Sequence, residues 1–302
     1  MSAPIAKNFT NDNEYAHILP MLTRIAIALE RLAPPTPNLQ HAFQHLAYVW
    51  NGATLALKPV SNVSYITLNL LRGIDDNTNT LLENTQRFAN SLSANNALLW
   101  GARGMGKSSL IKAIHAHINS CSETRLILVE IHREDISSLG ALLDVLRNSE
   151  ERLLLFCDDL SFDHQDQSYK SLKALLDGGV EGRPENVLFY ATSNLRHLLK
   201  RDMIENEQST AIHPGEAVEE KVSLSDRFGL WLGFHNCSQD DYFTMVKTYA
   251  RALNLRIPET ELESEALKWQ VTRGNRSGRV AWQFIQDLAG RHGMNVSKLK
   301  NR

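Results

Sequence analysis

Between Leu98 and Ser109 an apolar run, Leu98-Leu99-Trp100, passes into a glycine-rich turn and then into Leu110-Ile111-Lys112-Ala113-Ile114. That order reads as strand, loop, helix. Within it, Gly101 to Ser108 matches the phosphate-binding pattern G-x-x-x-x-G-K-[ST]. Each residue type has a job there. Gly101, Gly104 and Gly106 let the backbone turn tightly, so that the amides of Ala102, Arg103, Met105 and Ser109 can face a polyphosphate. The start of the following helix adds roughly half a positive charge. Lys107 would bridge the outer phosphates, and the Ser108 hydroxyl would complete the shell of a Mg2+ ion. A stretch of this kind commits the surrounding chain to an α/β architecture, because the loop functions only between a buried strand and its helix.

The rest of the chain fits that commitment. The apolar runs Arg125–Ile131, Leu153–Cys157, Asn186–Ala191 and Gly229–Phe234 read as further strands, which with Ala97–Trp100 make five. Several are apolar throughout, as strands buried on both faces of a parallel sheet are. Helical patterns alternate with them, at Asn77–Ser91, in the stretch after the loop to Ser120, at Ile136–Ser149 and at Lys170–Leu176. The expected fold is α/β, a P-loop αβα sandwich over residues 69–235 with a five-stranded parallel sheet. Helical patterns also mark both ends. Tyr15–Leu32 and Leu39–Trp50 imply a helical N-terminal region over 1–68, separated by the breaker Pro34-Pro35-Thr36-Pro37, and Lys58–Leu71 reads as a connector. Ser238–Leu253, Glu259–Gln270 and Ser277–Ala289 imply a helical lid over 236–302, and Ser238-Gln239-Asp240-Asp241 has the form of a capping box.

Composition excludes other classes. With 302 residues the chain is long enough for two or three domains, and 43% hydrophobic with 22% charged residues is globular composition. A net charge of −2 argues against a generic nucleic-acid coat. Cys121, Cys157 and Cys237 have no metal or disulfide spacing and suit a reducing, cytoplasmic setting. No apolar run is long enough for a membrane span and Met1–Asn8 lacks a signal-peptide core, so no membrane partner is expected. His41 and His45 stand four apart without a third ligand nearby and read as solvated helix residues.

Chemistry gathers at the strand ends. Asp158-Asp159 follow the strand Leu153–Cys157. The first would hold Mg2+, and the second would orient and deprotonate an attacking water. Asn194, after Ala191-Thr192-Ser193, is placed to sense the γ-phosphate or that water. Arg227, before the fifth strand, would sit away from its own chain's nucleotide and gain meaning in a neighbouring subunit, as an arginine finger in trans. Arg279, on the last helix, would reach back and couple lid closure to nucleotide state. From Lys268 to Arg302 the chain is basic, a run that suits a helical lid or a nucleic-acid contact.

These signals, in this order, resemble the AAA+ superfamily. Gly101–Ser108 corresponds to Walker A, Leu153–Asp159 to Walker B, Asn194 to sensor 1, Arg227 to the finger and Arg279 to sensor 2. The segments Asn95–Gly104, Leu176–Pro184 and Leu224–Gly229 are similar to a bacterial family of single-module AAA+ ATPases catalogued as a domain of unknown function. The resemblance implies an adenine box at Leu71-Arg72-Gly73-Ile74, with Leu71 and Ile74 as apolar walls. It also implies an ATP- and Mg2+-dependent ATPase that works as a homo-oligomer on a protein or nucleic-acid partner. The alternatives are a slow or non-hydrolytic ATP switch of helicase-loader type and a small-molecule phosphotransferase. Two positions depart from the pattern. Walker B carries Asp159 where glutamate is usual, and Leu195 stands where the family resemblance implies an arginine. No aromatic-hydrophobic pore-loop motif is present.

Overall fold

The computed structural model describes residues 12–32, 43–121, 124–162, 168–177, 183–196, 198 and 224–296. The chain divides into two units, residues 1–38 and 39–302. In the first, the helix expected over Tyr15–Leu32 is α1, Asp12–Leu32, with Pro20 in its interior.

The second unit is built on a seven-stranded sheet. Its strands are β1 (Ala47–Asn51), β2 (Ala56–Pro59), β3 (Ala97–Gly101), β4 (Leu126–Glu130), β5 (Arg152–Cys157), β6 (Val187–Ser193) and β7 (Leu230–Phe234). The order across the sheet is β2-β1-β4-β5-β6-β3-β7. The five expected strands lie adjacent and parallel, as β4-β5-β6-β3-β7. The two extra strands come from the N-terminal side: β1 runs parallel to β4, and β2 returns antiparallel to β1.

This corrects the reading of Leu39–Trp50 as helix. Phe43, Leu46, Ala47 and Trp50 do fall at helical spacing, but from Ala47 the chain is extended and its side chains alternate between the faces of the sheet. Tyr48 and Trp50 join one core and Ala47 the other. Asn51-Gly52, at the start of the turn between β1 and β2, is a hairpin signal that periodicity overrode. The indole Nε1 of Trp50 then donates to Ser138 Oγ at 2.8 Å, which fixes the new edge to the body of the sheet.

The two faces carry separate cores. Leu99, Leu128, Leu154, Phe156, Leu188 and Tyr190 point to one face, and Leu98, Val129, Leu153, Leu155, Phe189 and Ala191 to the other. That alternation is the period of two expected of strands buried on both sides. The first face packs α2 (Asp75–Ala89) and α3 (Lys107–Cys121); the second packs α4 (Leu139–Arg147) and α5 (Tyr169–Asp177). Three helices close the chain: α6 (Gln239–Ala252), α7 (Glu259–Arg273) and α8 (Gly278–Arg291). Their apolar side chains belong to the same core as those of α2 and α3. The capping box at Ser238 is formed, with Asp241 N donating to Ser238 Oγ at 3.0 Å and Ser238 N to Asp241 Oδ2 at 3.1 Å. No described helix is long and apolar enough to cross a membrane.

Candidate functional site

Because β6 lies between β5 and β3, the carboxyl ends of these strands deliver three chain segments side by side. They are the glycine-rich loop after β3, Asp158-Asp159 after β5, and Thr192–Asn194 at the end of β6. The loop is held by its glycines. Gly101 has φ +123°, and a Cβ there would meet the carbonyl oxygen of Phe234 at 2.1 Å; Gly104 has φ +76° and lies against Ser277 and Arg279 at the start of α8. A larger residue at Gly101 would have to displace the Phe234 backbone, and one at Gly104 would crowd the Ser277 and Arg279 side chains in a strained left-handed conformation.

Lys107 opens α3 and is 7% exposed. Its Nζ donates to the carbonyls of Gly101 and Ala102 at 2.8 Å each and to Asn194 Oδ1 at 3.2 Å. Burial pulls its pKa below the usual lysine value, while the nearby carboxylates of Asp159 and Asp158 oppose that shift. Ser108 Oγ and Thr192 Oγ1 both donate to Asp158 Oδ1, at 2.5 Å each. Thr192 Oγ1 in turn accepts from Asp159 N at 2.9 Å. Asp159 has φ +52°, and its Oδ1 accepts from Asn194 Nδ2 at 2.5 Å. Asn194 thus joins the lysine to the second aspartate.

A cleft of about 650 Å³ opens over this network. It is lined by Arg103 to Ser109, Asp158, Asp159, Asn194 and Arg279, and on its apolar side by Leu71 and Ile74. The side chains of Leu71 and Ile74 stand over Gly106. Arg279 also engages the loop through its backbone, its N–H donating to Gly104 O at 3.0 Å. Arg227 is not among the lining residues. Its Nε donates to Asp177 Oδ1 at the end of α5, away from its own chain's cleft.

Several lining residues were not legible in the sequence. Thr192 is one, although a hydroxyl residue at the end of the apolar run Asn186–Ala191 was a usable signal; it proves buried, beside the aspartate pair. Tyr65 and Ile66 come from the stretch read as a connector, and Met245, Tyr249 and Trp282 from α6 and α8. Trp282 follows Arg279 by three residues and so shares its helix face, which could have marked it. Its ring meets that of Tyr249 edge-on, with centroids 5.3 Å apart.

The donor set suits a hard cation. Asp158, Ser108 and Thr192 offer oxygen only, and among the described residues no three His, Cys, Asp or Glu side chains cluster. Magnesium characteristically takes one or two protein oxygens and completes its shell with phosphate and water. The His41–His45 pair gains no support, since His41 lies outside the described residues and the His45 ring packs edge-on to Tyr48. Lys298, Lys300 and Arg302 of the basic run, and most of the segment between Leu176 and Pro184, also lie outside them.

A family model described as "Protein of unknown function (DUF815)" matches residues 43–292. No curated protein matches the sequence. Among solved structures, a proline-to-glycine mutant of RuvB from Thermotoga maritima is similar at 16% identity and a TM-score of 0.52, over 78% of this chain and 71% of that one. The ORC2 protein of Aeropyrum pernix, in ADPNP–ADP complexes, is similar at 12% identity and a TM-score of 0.50, over 77% and 69%. At these identities the likeness is one of fold.

Proposed function

The chain belongs to the DUF815 family and has the AAA+ fold, and from its cleft we propose that it binds and hydrolyses ATP. The carrying observation is the continuous hydrogen-bond network from Lys107 through Asn194 to Asp159, set beside Ser108, Thr192 and Asp158. The adenine lies against Leu71 and Ile74, and the loop amides from Ala102 to Ser109 cradle the phosphates. Lys107 exchanges its carbonyl partners for the β- and γ-phosphate oxygens. Ser108 and Asp158 hold Mg2+, which when bound neutralises charge on the phosphates.

Loss of the lysine contact frees Asn194 to orient the attacking water, and Asp159 takes the water's proton. The water oxygen bonds to the γ-phosphorus, the bond to the ADP oxygen breaks, and ADP and phosphate leave. Arg279 reports the γ-phosphate to the lid. Arg227, off its own cleft and paired with Asp177, serves the cleft of a second copy, so the working form is a homo-oligomer that couples nucleotide state to a protein or nucleic-acid partner in the cytoplasm. Asp159 is one methylene shorter than the glutamate usual at its position and is held by Asn194. Both features favour slow turnover, with the ATP-loaded state as the acting one.

The test is calorimetric titration with ATP and Mg2+, alongside ATPase rate against protein concentration. Wild type is expected to bind and Lys107→Ala to lose binding. Specific activity is expected to rise with concentration, and mixing Arg227→Ala with Lys107→Ala is expected to recover part of it. A wild-type chain that does not bind ATP sinks the whole reading, whereas a monomer of constant specific activity sinks only the role of Arg227.

A further inference from the structure

Across the first turn of the phosphate loop lies a second cleft, of about 510 Å³. Its lining includes Trp100, Arg103, Asn194, Arg196 and His235, and among the described residues it contains no carboxylate. The register of the sheet builds it. Trp100 on β3 stands between Ser193 on β6 and Gly233 on β7, the smallest of neighbours. A Cβ on Gly233 would meet the indole at 3.0 Å, so the ring lies over bare backbone. Its exposed side carries the Arg196 guanidinium 5.2 Å from the ring centroid, and the imidazole of His235 stands edge-on to it at 5.8 Å. Arg103, Arg196 and His235 are all exposed.

An indole platform beside two guanidinium groups, with no acidic group among the described lining residues, suits a ligand that is both planar and anionic. The geometry points to one nucleotide unit in this second cleft, its base on Trp100 and its phosphate held by Arg196 and Arg103. A base stacks on an indole more strongly than an exposed guanidinium does, so it replaces Arg196 over the ring and leaves that side chain to pair with the phosphate. A carboxylate-bearing peptide would use the arginines but not the ring. Asn194 and Arg103 line both clefts, so the ligand lies next to Asn194, which bonds both Lys107 and Asp159. This site is separate from the ATP site and does not depend on hydrolysis there.

The experiment titrates the full-length chain, with a non-hydrolysable ATP analogue saturating the first cleft, using a fluorescently labelled single-stranded oligothymidylate, unlabelled thymidine monophosphate as competitor, and a glutamate-rich peptide. Oligonucleotide anisotropy is expected to show salt-sensitive binding that weakens about tenfold in Arg196→Glu and in Trp100→Leu. Affinity for the ATP analogue, measured separately, is expected to stay unchanged in both. Tight binding of the oligonucleotide identifies a strand as the source, and equal binding of the mononucleotide identifies a free nucleotide. Arg196 is exposed, so its variant reads the site even where Trp100→Leu fails to fold. Equal oligonucleotide affinity in Arg196→Glu and wild type overturns the proposal. So does the absence of any nucleotide binding, or binding of the acidic peptide alone.

Discussion

At φ +52°, Asp159 sits in the left-handed region, where asparagine and aspartate are tolerated far better than longer side chains. This gives a local reason for the departure from the usual Asp-Glu pair. It also makes Asp159→Asn the conservative variant for removing the proposed base. That substitution is expected to preserve folding and ATP affinity and to lower turnover by about 10²–10⁴-fold, as loss of a general base does; single-turnover kinetics beside equilibrium binding would check it. His115 makes a second expectation. It is 2% exposed, its Nε2 donates between the carbonyls of Leu46 and Leu126, and burial lowers its pKa to about 4. The unfolded chain takes up this proton near pH 6.5 and the folded chain only near 4, so the stability is complete above 6.5 and is lost as pH falls toward 4. Between pH 7 and 5 the loss is roughly 2 kcal/mol. Urea melts at the two pH values should show it, with less pH dependence in His115→Gln. Lys107, Ser108, Asp158 and Asn194 converge because their residue types and strand-end positions leave few alternatives. Thr192 and Tyr65 were missed because a threonine at a strand end or a tyrosine in a connector has many ordinary uses.

Among the elements, Tyr190 on β6 anchors α2 to the sheet. Its hydroxyl accepts from Asn84 Nδ2 at 2.9 Å and lies 2.8 Å from Thr85 Oγ1, with all three residues buried. Burial raises the phenol's pKa to about 12, so it stays neutral at any working pH. Tyr190→Phe leaves one N–H of the buried Asn84 amide unpaired, the other still donating to Asn95 O, and is expected to cost about 1–3 kcal/mol of stability without changing ATP affinity; denaturant unfolding and calorimetry separate the two effects. The element pattern was legible wherever a strand was apolar on both faces, as in β4, β5 and β6. It failed at β1, where Leu46, Ala47 and Trp50 met the helical template by coincidence. In a five-residue strand, alternation offers too few positions to outvote that template. The hairpin β1–β2 therefore came as an addition to the sheet, with the site unaffected because it lies at the far edge from β3.

For the whole molecule, the proposed assembly makes size a function of nucleotide. Sizing by light scattering is expected to give a larger particle with ATP and Mg2+ than without, and Arg227→Ala is expected to hydrolyse poorly while still binding ATP. Loss of the Asp177 ion pair in that variant should matter little to folding, since both partners are partly solvated. How copies would meet in the proposed assembly was not legible, because an intersubunit surface leaves no periodic trace in one chain. The contact between Gly104 O and Arg279 N has a mechanical consequence. It is a main-chain bond, so replacing the Arg279 side chain would remove the proposed phosphate sensor yet leave the linkage intact. The phosphate loop then acts as the fulcrum on which α8 is mounted. In the proposed cycle a swing of α8 would either carry the loop with it or break that bond, which would make the loop's stiffness the gear ratio between a shift at the phosphates and the travel of the lid.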